Sequence, residues 1–210
     1  MSEQKHLDVS LKASYRTLNE LTQDTQRIWL VFHGQGQLTE FFLKKFEILD
    51  PKSNFVLAPQ GLSKYYLNGF TGRVGASWMT KEDRLTEMEN QLRYIDAVVQ
   101  SEIGDRKTDT VLLGFSQGTA AMLRYAAHAN LSIQKMIVWA GTIPPELSPD
   151  MVTHWPEFDA HFLVGDEDQF NRDNYFDQEK EKFEQLIGRP VHSKVFQGKH
   201  EIIPGLLLEL

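Results

Sequence analysis

Six short apolar runs, rich in β-branched residues, recur along the chain at 28–32, 54–58, 110–113, 135–140, 160–164 and 191–196. Each is the length of a strand and lacks the polar alternation of a half-exposed one, so each is expected to be buried on both faces. Between them the apolar spacing changes to three or four residues. Leu85, Met88, Leu92, Ile95, Val99 and Ile103 form one stripe, Phe176, Phe183, Leu186 and Ile187 a second, and Leu38, Phe41, Phe42 and Phe46 a third. Such stripes predict amphipathic helices. Strand followed by helix, repeated, predicts an α/β fold with a mostly parallel central sheet and helices on both faces. The opening segment, about 6–18, alternates like an edge strand or hairpin arm. Stretches 60–81 and 141–157 read as long irregular connections; the first carries Tyr65, Tyr66, Phe70 and Trp78, the second Trp155 and four prolines. Loops of that length often border functional sites, and Phe70, Trp78 and Trp155 are expected to line an apolar substrate pocket.

At 210 residues, without repeat, linker or low-complexity tract, the chain is expected to form one domain spanning 1–210. Its 22 Lys and Arg against 29 Asp and Glu give a net charge of −7, and no basic block argues for nucleic acid as a partner. Cysteine is absent, which excludes disulfides, thiolate catalysis and Cys-ligated zinc. The N-terminus lacks the apolar core of a secretory signal, and no run approaches the ~18 apolar residues of a membrane span. A soluble, cytoplasmic protein is expected, as a monomer or weak dimer. No H-E-x-x-H or comparable spacing points to a metal.

The run 110–113 leads directly into G-F-S-Q-G, with Ser116 between Gly114 and Gly118, and then into a small, alanine-rich helical segment. G-x-S-x-G alone is weak, since this composition yields about 0.05 chance matches per chain. Its setting adds weight: a serine nucleophile needs a sharp strand-to-helix turn that lifts it above the sheet edge, and flanking glycines make that turn sterically feasible. A serine hydroxyl also needs a base, and an acid to orient the base, following in the order Ser, Asp or Glu, His. Of the histidines after Ser116, His128 falls on the next helix, His161 and His192 in strands, and His154 in a loop that breaks the order. His200, in the loop after the final strand, is the candidate base. Asp166, Glu167 and Asp168 compete as the acid. Asp166 suits a turn cap, while Asp168 lies further out and is better placed to reach a histidine. Oxyanion stabilisation needs two backbone N–H donors, for which Gln117 and Gln35, the latter in H-G-Q-G, are the candidates. His33 is read as a structural histidine that anchors the Gln35 loop.

Together H-G-Q-G, G-F-S-Q-G, G-D-E-D and G-K-H resemble the α/β-hydrolase fold, and within it the small carboxylesterase, phospholipase and acyl-protein thioesterase family. The resemblance runs from about Ile28 onward. It implies a Ser-His-Asp triad, no cofactor, and a small-molecule ester or thioester substrate, and it selects Asp168 as the acid beside Ser116 and His200. The chain departs from the family pattern after the acid, where Gln169 and Phe170 replace the usual proline and nearby valine, and after His200, where only ten residues remain. The expected activity is a serine hydrolase working through an acyl-enzyme. A non-catalytic binding protein on the same scaffold, or an acyltransferase or peptidase using the same triad, are the alternatives.

Overall fold

A computed structural model describes residues 2–106 and 108–210. Among the described residues, nine strands and five α-helices follow one another. Seven strands form the central sheet in the order β1-β3-β2-β6-β7-β8-β9. They are β1 (Tyr15–Leu18), β2 (Arg27–Phe32), β3 (Asn54–Pro59), β6 (Asp109–Phe115), β7 (Ile133–Trp139), β8 (Asp159–Gly165) and β9 (His192–Phe196). All neighbours pair in parallel except β1, which runs antiparallel to β3 at one edge. The expected strands are all present, and the opening segment supplies an edge strand only from Tyr15. Strands β2, β3, β6, β7 and β8 are covered on both faces, which explains why their sequences read as apolar runs, whereas β9, expected to be buried as well, is the parallel edge strand and is exposed at every residue but Phe196. Ile28, Leu30, Val31 and Phe32 of β2 and Leu112 and Leu113 of β6 are fully buried.

The helices are α1 (Thr39–Phe42), α2 (Arg84–Glu102), α3 (Gln117–His128), α4 (Tyr175–Ile187) and α5 (Pro204–Leu207). The chain passes from β2 leftward to β3, then back across the sheet from β6 to β9. Right-handed crossovers therefore put α1 on one face and α2, α3 and α4 on the other. The C-terminal α5 packs against the 3₁₀ turn Leu43–Phe46 that extends α1. The buried face of α2 differs from the expected stripe. It comprises Gln91, Ile95, Val98 and Val99, while Leu85 is exposed. Gln91 is accommodated because its amide donates to the Trp78 carbonyl, so a polar residue sits where the apolar spacing predicted none.

The stretch 60–81 is not irregular. It folds as a hairpin of β4 (Ser63–Tyr66) and β5 (Val74–Ser77), which pair antiparallel apart from the main sheet. Its base is stitched to the loop after β2 by a bridge between Gln37 and Ala76, with Gly36 N–H donating to Ala76 O at 2.8 Å. The stretch 141–157 holds only the 3₁₀ turn Pro149–Val152.

Candidate active site

Ser116, Gln35, Asp168 and His200 all follow the C-terminal ends of parallel strands, β6, β2, β8 and β9, and so gather along one edge of the sheet. Ser116 caps the N-terminus of α3 with φ 53° and ψ −123°, a conformation that L-residues with a side chain avoid. Such a turn costs about 1–3 kcal/mol and persists only where its surroundings enforce it. Here they do. Ser116 N–H donates to Trp139 O of β7 at 2.9 Å, Thr119 N–H donates back to Ser116 O at 3.0 Å, and the Thr119 hydroxyl donates to Gly114 O at 2.8 Å. The two motif glycines are required by close approach. A Cβ on Gly118 would lie 2.2 Å from Phe32 O, and one on Gly114 would lie 2.4 Å from the Thr119 Cα.

The candidate acid and base are joined directly. His200 Nδ1 lies 2.7 Å from Asp168 Oδ2, and the Asp168 side chain is wholly buried. The other Asp168 oxygen accepts the Phe170 N–H at 2.9 Å, so both carboxylate oxygens are engaged. A carboxylate accepting from Nδ1–H leaves Nε2 as the ring's free acceptor. The imidazole is held between two aromatic rings, Phe115 at 4.9 Å and Phe170 at 4.6 Å, the latter edge-on. The loops carrying acid and base are locked together as well. Asp166 Oδ1 accepts the Gly198 N–H, Glu167 N–H donates to Gly198 O, and the Trp139 indole donates to Glu201 O, each at 2.9 Å. Asp166 thus has the turn-capping position, and Asp168 reaches the histidine.

The remaining histidines lie elsewhere. His128 pairs with Asp96 and, with His154, borders a depression of about 1250 Å³ near the N-terminal ends of β6 and β7. His161 lies 2.8 Å and His192 3.6 Å from Asp159. His33 is fully buried beneath the loop that carries Gln35. Its Nε2 receives the Gly61 N–H at 2.9 Å and the Gln60 amide at 2.8 Å, so the proton is on Nδ1, which donates to Gly34 O at 2.8 Å. The Gln60 orientation follows from its Oε1 accepting the Thr39 N–H and hydroxyl. Burial pushes the His33 pKa down to about 4, and the hydrogen bond to Gly34 only partly opposes this. The ring is therefore neutral at physiological pH and anchors the loop by hydrogen bonding.

That anchoring sorts the loop's amides. Gly34 N–H donates to the Gln37 side chain, Gly36 N–H to Ala76 O, and Gln37 N–H to Gly34 O. The Gln35 N–H is the member of this run with no such acceptor, and Gln35, Ser116, Gln117 and His200 all line one cleft of about 730 Å³. Ser116 and His200 share the cleft without a direct hydrogen bond between them.

Phe70, Trp78 and Trp155 do not line the cleft. Trp78 is buried, stacked on His33 at 4.9 Å with its indole donating to His33 O at 2.7 Å. Trp155 donates to Ala126 O at 2.7 Å and packs edge-on against Phe158. Phe70 sits exposed at the hairpin tip. The two tryptophans, Trp78 buried and Trp155 partly buried, are amphipathic rings that found backbone acceptors. The walls come instead from Tyr65 and Leu67 of the hairpin, Phe170 and Arg172 after the acid, and Tyr175 and Phe176 at the start of α4. The paired glycines of N-G-F-T-G could have marked 67–73 as a turn and its flanks as strands. Tyr65 is one of the aromatics that mark 60–81 in the sequence and it does line the cleft, whereas nothing in the sequence pointed to Arg172.

The Gln117 side chain has a further part that sequence reasoning missed. Its Oε1 accepts the Trp78 N–H at 3.0 Å, and its Nε2 donates to Met79 O at 3.0 Å, tying the first residue of α3 to the end of β5. On the far side, Glu146 bridges Arg124 of α3 at 2.7 Å and Arg84 of α2 at 2.6 Å, fixing the 141–157 connection. Burial raises the Glu146 pKa, but the two arginines outweigh it and hold the carboxyl below its usual range.

No family model and no curated protein sequence matches the chain. Solved structures do. The esterase PE8 superposes with a TM-score of 0.68 at 20% identity, covering 95% of this chain and 99% of that one. Acyl-protein thioesterase 2 of Zea mays gives 0.65 at 17%, covering 94% and 96%. The Bacillus cereus carboxylesterase gives 0.63 at 15%, covering 94% and 91%. At such identities the likeness is one of fold, and the fold is the α/β-hydrolase fold. No described helix is long and apolar enough to cross a membrane.

Proposed function

We propose that the protein is a cofactor-independent serine hydrolase that cleaves a carboxylic ester or thioester through an acyl-enzyme on Ser116. The observation that carries this reading is the 2.7 Å contact between His200 and the buried Asp168, in the same cleft as a serine in a strained turn. An imidazole so fixed has its Nε2 free to act as base toward the serine hydroxyl.

In the first half-reaction His200 Nε2 takes the proton of Ser116 Oγ as Oγ bonds to the substrate carbonyl carbon. The carbonyl oxygen becomes an oxyanion and accepts hydrogen bonds from the Gln35 and Gln117 N–H groups, each worth about 3 kcal/mol of barrier. The oxyanion collapses, the bond from carbon to the leaving oxygen or sulfur breaks, and His200 Nε2 delivers its proton to that atom. Water then attacks the acyl-enzyme, giving a proton to His200. The Oγ–carbon bond breaks, the proton returns to Ser116, and the carboxylic acid leaves. Asp168 stabilises the imidazolium in both halves without taking a proton.

A panel of neutral aryl esters against wild type and Ser116→Ala tests the reading. Turnover by wild type that falls at least ~10³-fold in the variant supports it, and turnover retained by the variant would sink it. A fluorophosphonate probe separates an enzyme, labelled at Ser116, from a binding protein on the same scaffold, which stays unlabelled.

A further inference from the structure

Apart from His200, the Ser116 cleft is lined by one ionisable cation, Arg172, and by no carboxylate. Its other walls are largely aromatic: Tyr65, Phe170, Tyr175 and Phe176. Arg172 makes no ion pair within 4.0 Å and no side-chain hydrogen bond among the described residues, although Asp173 is its sequence neighbour. Most of the other arginines are engaged. Arg16, Arg84, Arg93 and Arg124 pair with carboxylates, and Arg106 and Arg189 donate to backbone carbonyls. Arg27, Arg73 and Arg172 are the three without either contact, and two of these stand at the site. Arg73, with Lys45 and Glu201, lines a second cleft of about 650 Å³ that meets the first at Gly36 and His200.

A chain of net charge −7 thus places uncompensated positive charge around its candidate nucleophile. Arg172 is exposed at the rim of the cleft, where its planar fork is accessible and matches the two oxygens of a carboxylate or phosphate. Phe170 and Arg172 also belong to the segment after the acid, where this chain departs from the family pattern. That segment both packs on His200 and presents the cation.

We propose that Arg172 is a specificity determinant that binds an anionic oxygen group, carboxylate or phosphate, on the ester or thioester substrate, away from the scissile carbonyl. This rests on the hydrolase reading of Ser116. The substrate class is therefore an acidic ester, with the anion on either the acyl or the leaving side, and Lys45 and Arg73 add to the field that draws it in.

Matched aryl esters test this. On the acyl side, p-nitrophenyl hydrogen glutarate is compared with neutral p-nitrophenyl butyrate. On the leaving side, the butyrate ester of 4-hydroxybenzoate is compared with that of its methyl ester. The readout is the anionic-to-neutral ratio of kcat/KM within each protein, at low salt. Wild type is expected to favour one anionic ester by about tenfold or more. Arg172→Gln should bring that ratio near one, and Arg172→Lys should retain part of it. A wild-type ratio near one for both pairs, or a ratio unchanged in Arg172→Gln, overturns the proposal. Calorimetric binding of glutarate to Ser116→Ala, weakened about tenfold when Arg172→Gln is added, tests the anion site without turnover. Failure of the hydrolase reading and failure of this one are thereby distinguished.

Discussion

The floor of the cleft and its rim follow opposite rules. On the floor, around Ser116 and the 33–37 loop, nearly every polar group is spent: His33, Gln60, Gln117, Trp78 and Thr119 each meet defined partners, and the glycines admit no added atom. On the rim, Arg172 is unpaired, Phe170 is half exposed, and Phe70 stands in solvent. The floor must hold a strained turn and two free amides in register, so any slack there is lost chemistry. The rim must recognise something absent from the chain itself, so its groups are left unspent. The contrast predicts that damage is severe and general on the floor, and mild or substrate-selective on the rim.

The largest effect is expected from Asp168→Asn. The variant keeps the size of the side chain but offers the His200 Nδ1 an amide, which favours the wrong tautomer. If the proposed triad operates, a fall in kcat/KM of about 10³–10⁴-fold is expected, as this change produces in Ser-His-Asp enzymes. Kinetics on a neutral aryl ester check it, with circular dichroism confirming the fold. A loss under tenfold would place the pair outside the chemistry.

Gly118→Ala comes next and acts on stability. The new Cβ would sit 2.2 Å from Phe32 O, a backbone atom of the interior strand β2 that cannot turn aside. A loss of more than about 3 kcal/mol is expected in urea unfolding. Gly69→Ala sharpens the comparison: its φ of 70° carries strain, but no atom lies within 4 Å of the new Cβ. That rim variant should lose only about 1 kcal/mol.

A third test uses pH. His33 titrates near 4 when folded and near 6.5 when unfolded, so between those values the unfolded chain takes up a proton that the folded protein does not. The His33 contribution is complete above about pH 6.5 and is lost as pH falls toward 4, amounting to about 3 kcal/mol. Urea melts at several pH values across that window should show the decline, and His33→Gln should flatten it. A variant whose pH slope matches wild type would remove His33 from the account.

The same division governs what the sequence could tell. The strands were legible because parallel, doubly covered strands cannot hide their apolar runs, and Ser116, Asp168 and His200 were legible because motif order and a family resemblance constrain each. The hairpin was missed because its strands, S-K-Y-Y and V-G-A-S, are only four residues long and carry no apolar alternation. Trp78 and Trp155 were placed in the pocket for want of a rule that separates a buried ring from a lining one. Each has an indole N–H whose acceptor, His33 O or Ala126 O, is 29 or more residues away in sequence. Such contacts exist only in three dimensions. Arg172 lay beside the acid, yet its significance rests on the absence of a partner, which no linear pattern encodes.

The smallest effect belongs to Phe70→Ala. A phenylalanine in a core costs about 3–5 kcal/mol to truncate, because removing its ring leaves a cavity. Phe70 is 93% exposed at the hairpin tip and lines neither cleft at His200. Truncation should therefore change unfolding stability by less than about 0.5 kcal/mol, and kcat/KM on small esters by less than about twofold. Trp78→Phe provides the counterpart: it removes the indole N–H and shrinks a buried ring, stranding the His33 carbonyl and leaving a void beside the His33 ring, and should cost at least about 1–3 kcal/mol. If the exposed phenylalanine proved the costlier of the two, the rim would be packing onto the fold in a way the floor alone is here credited with.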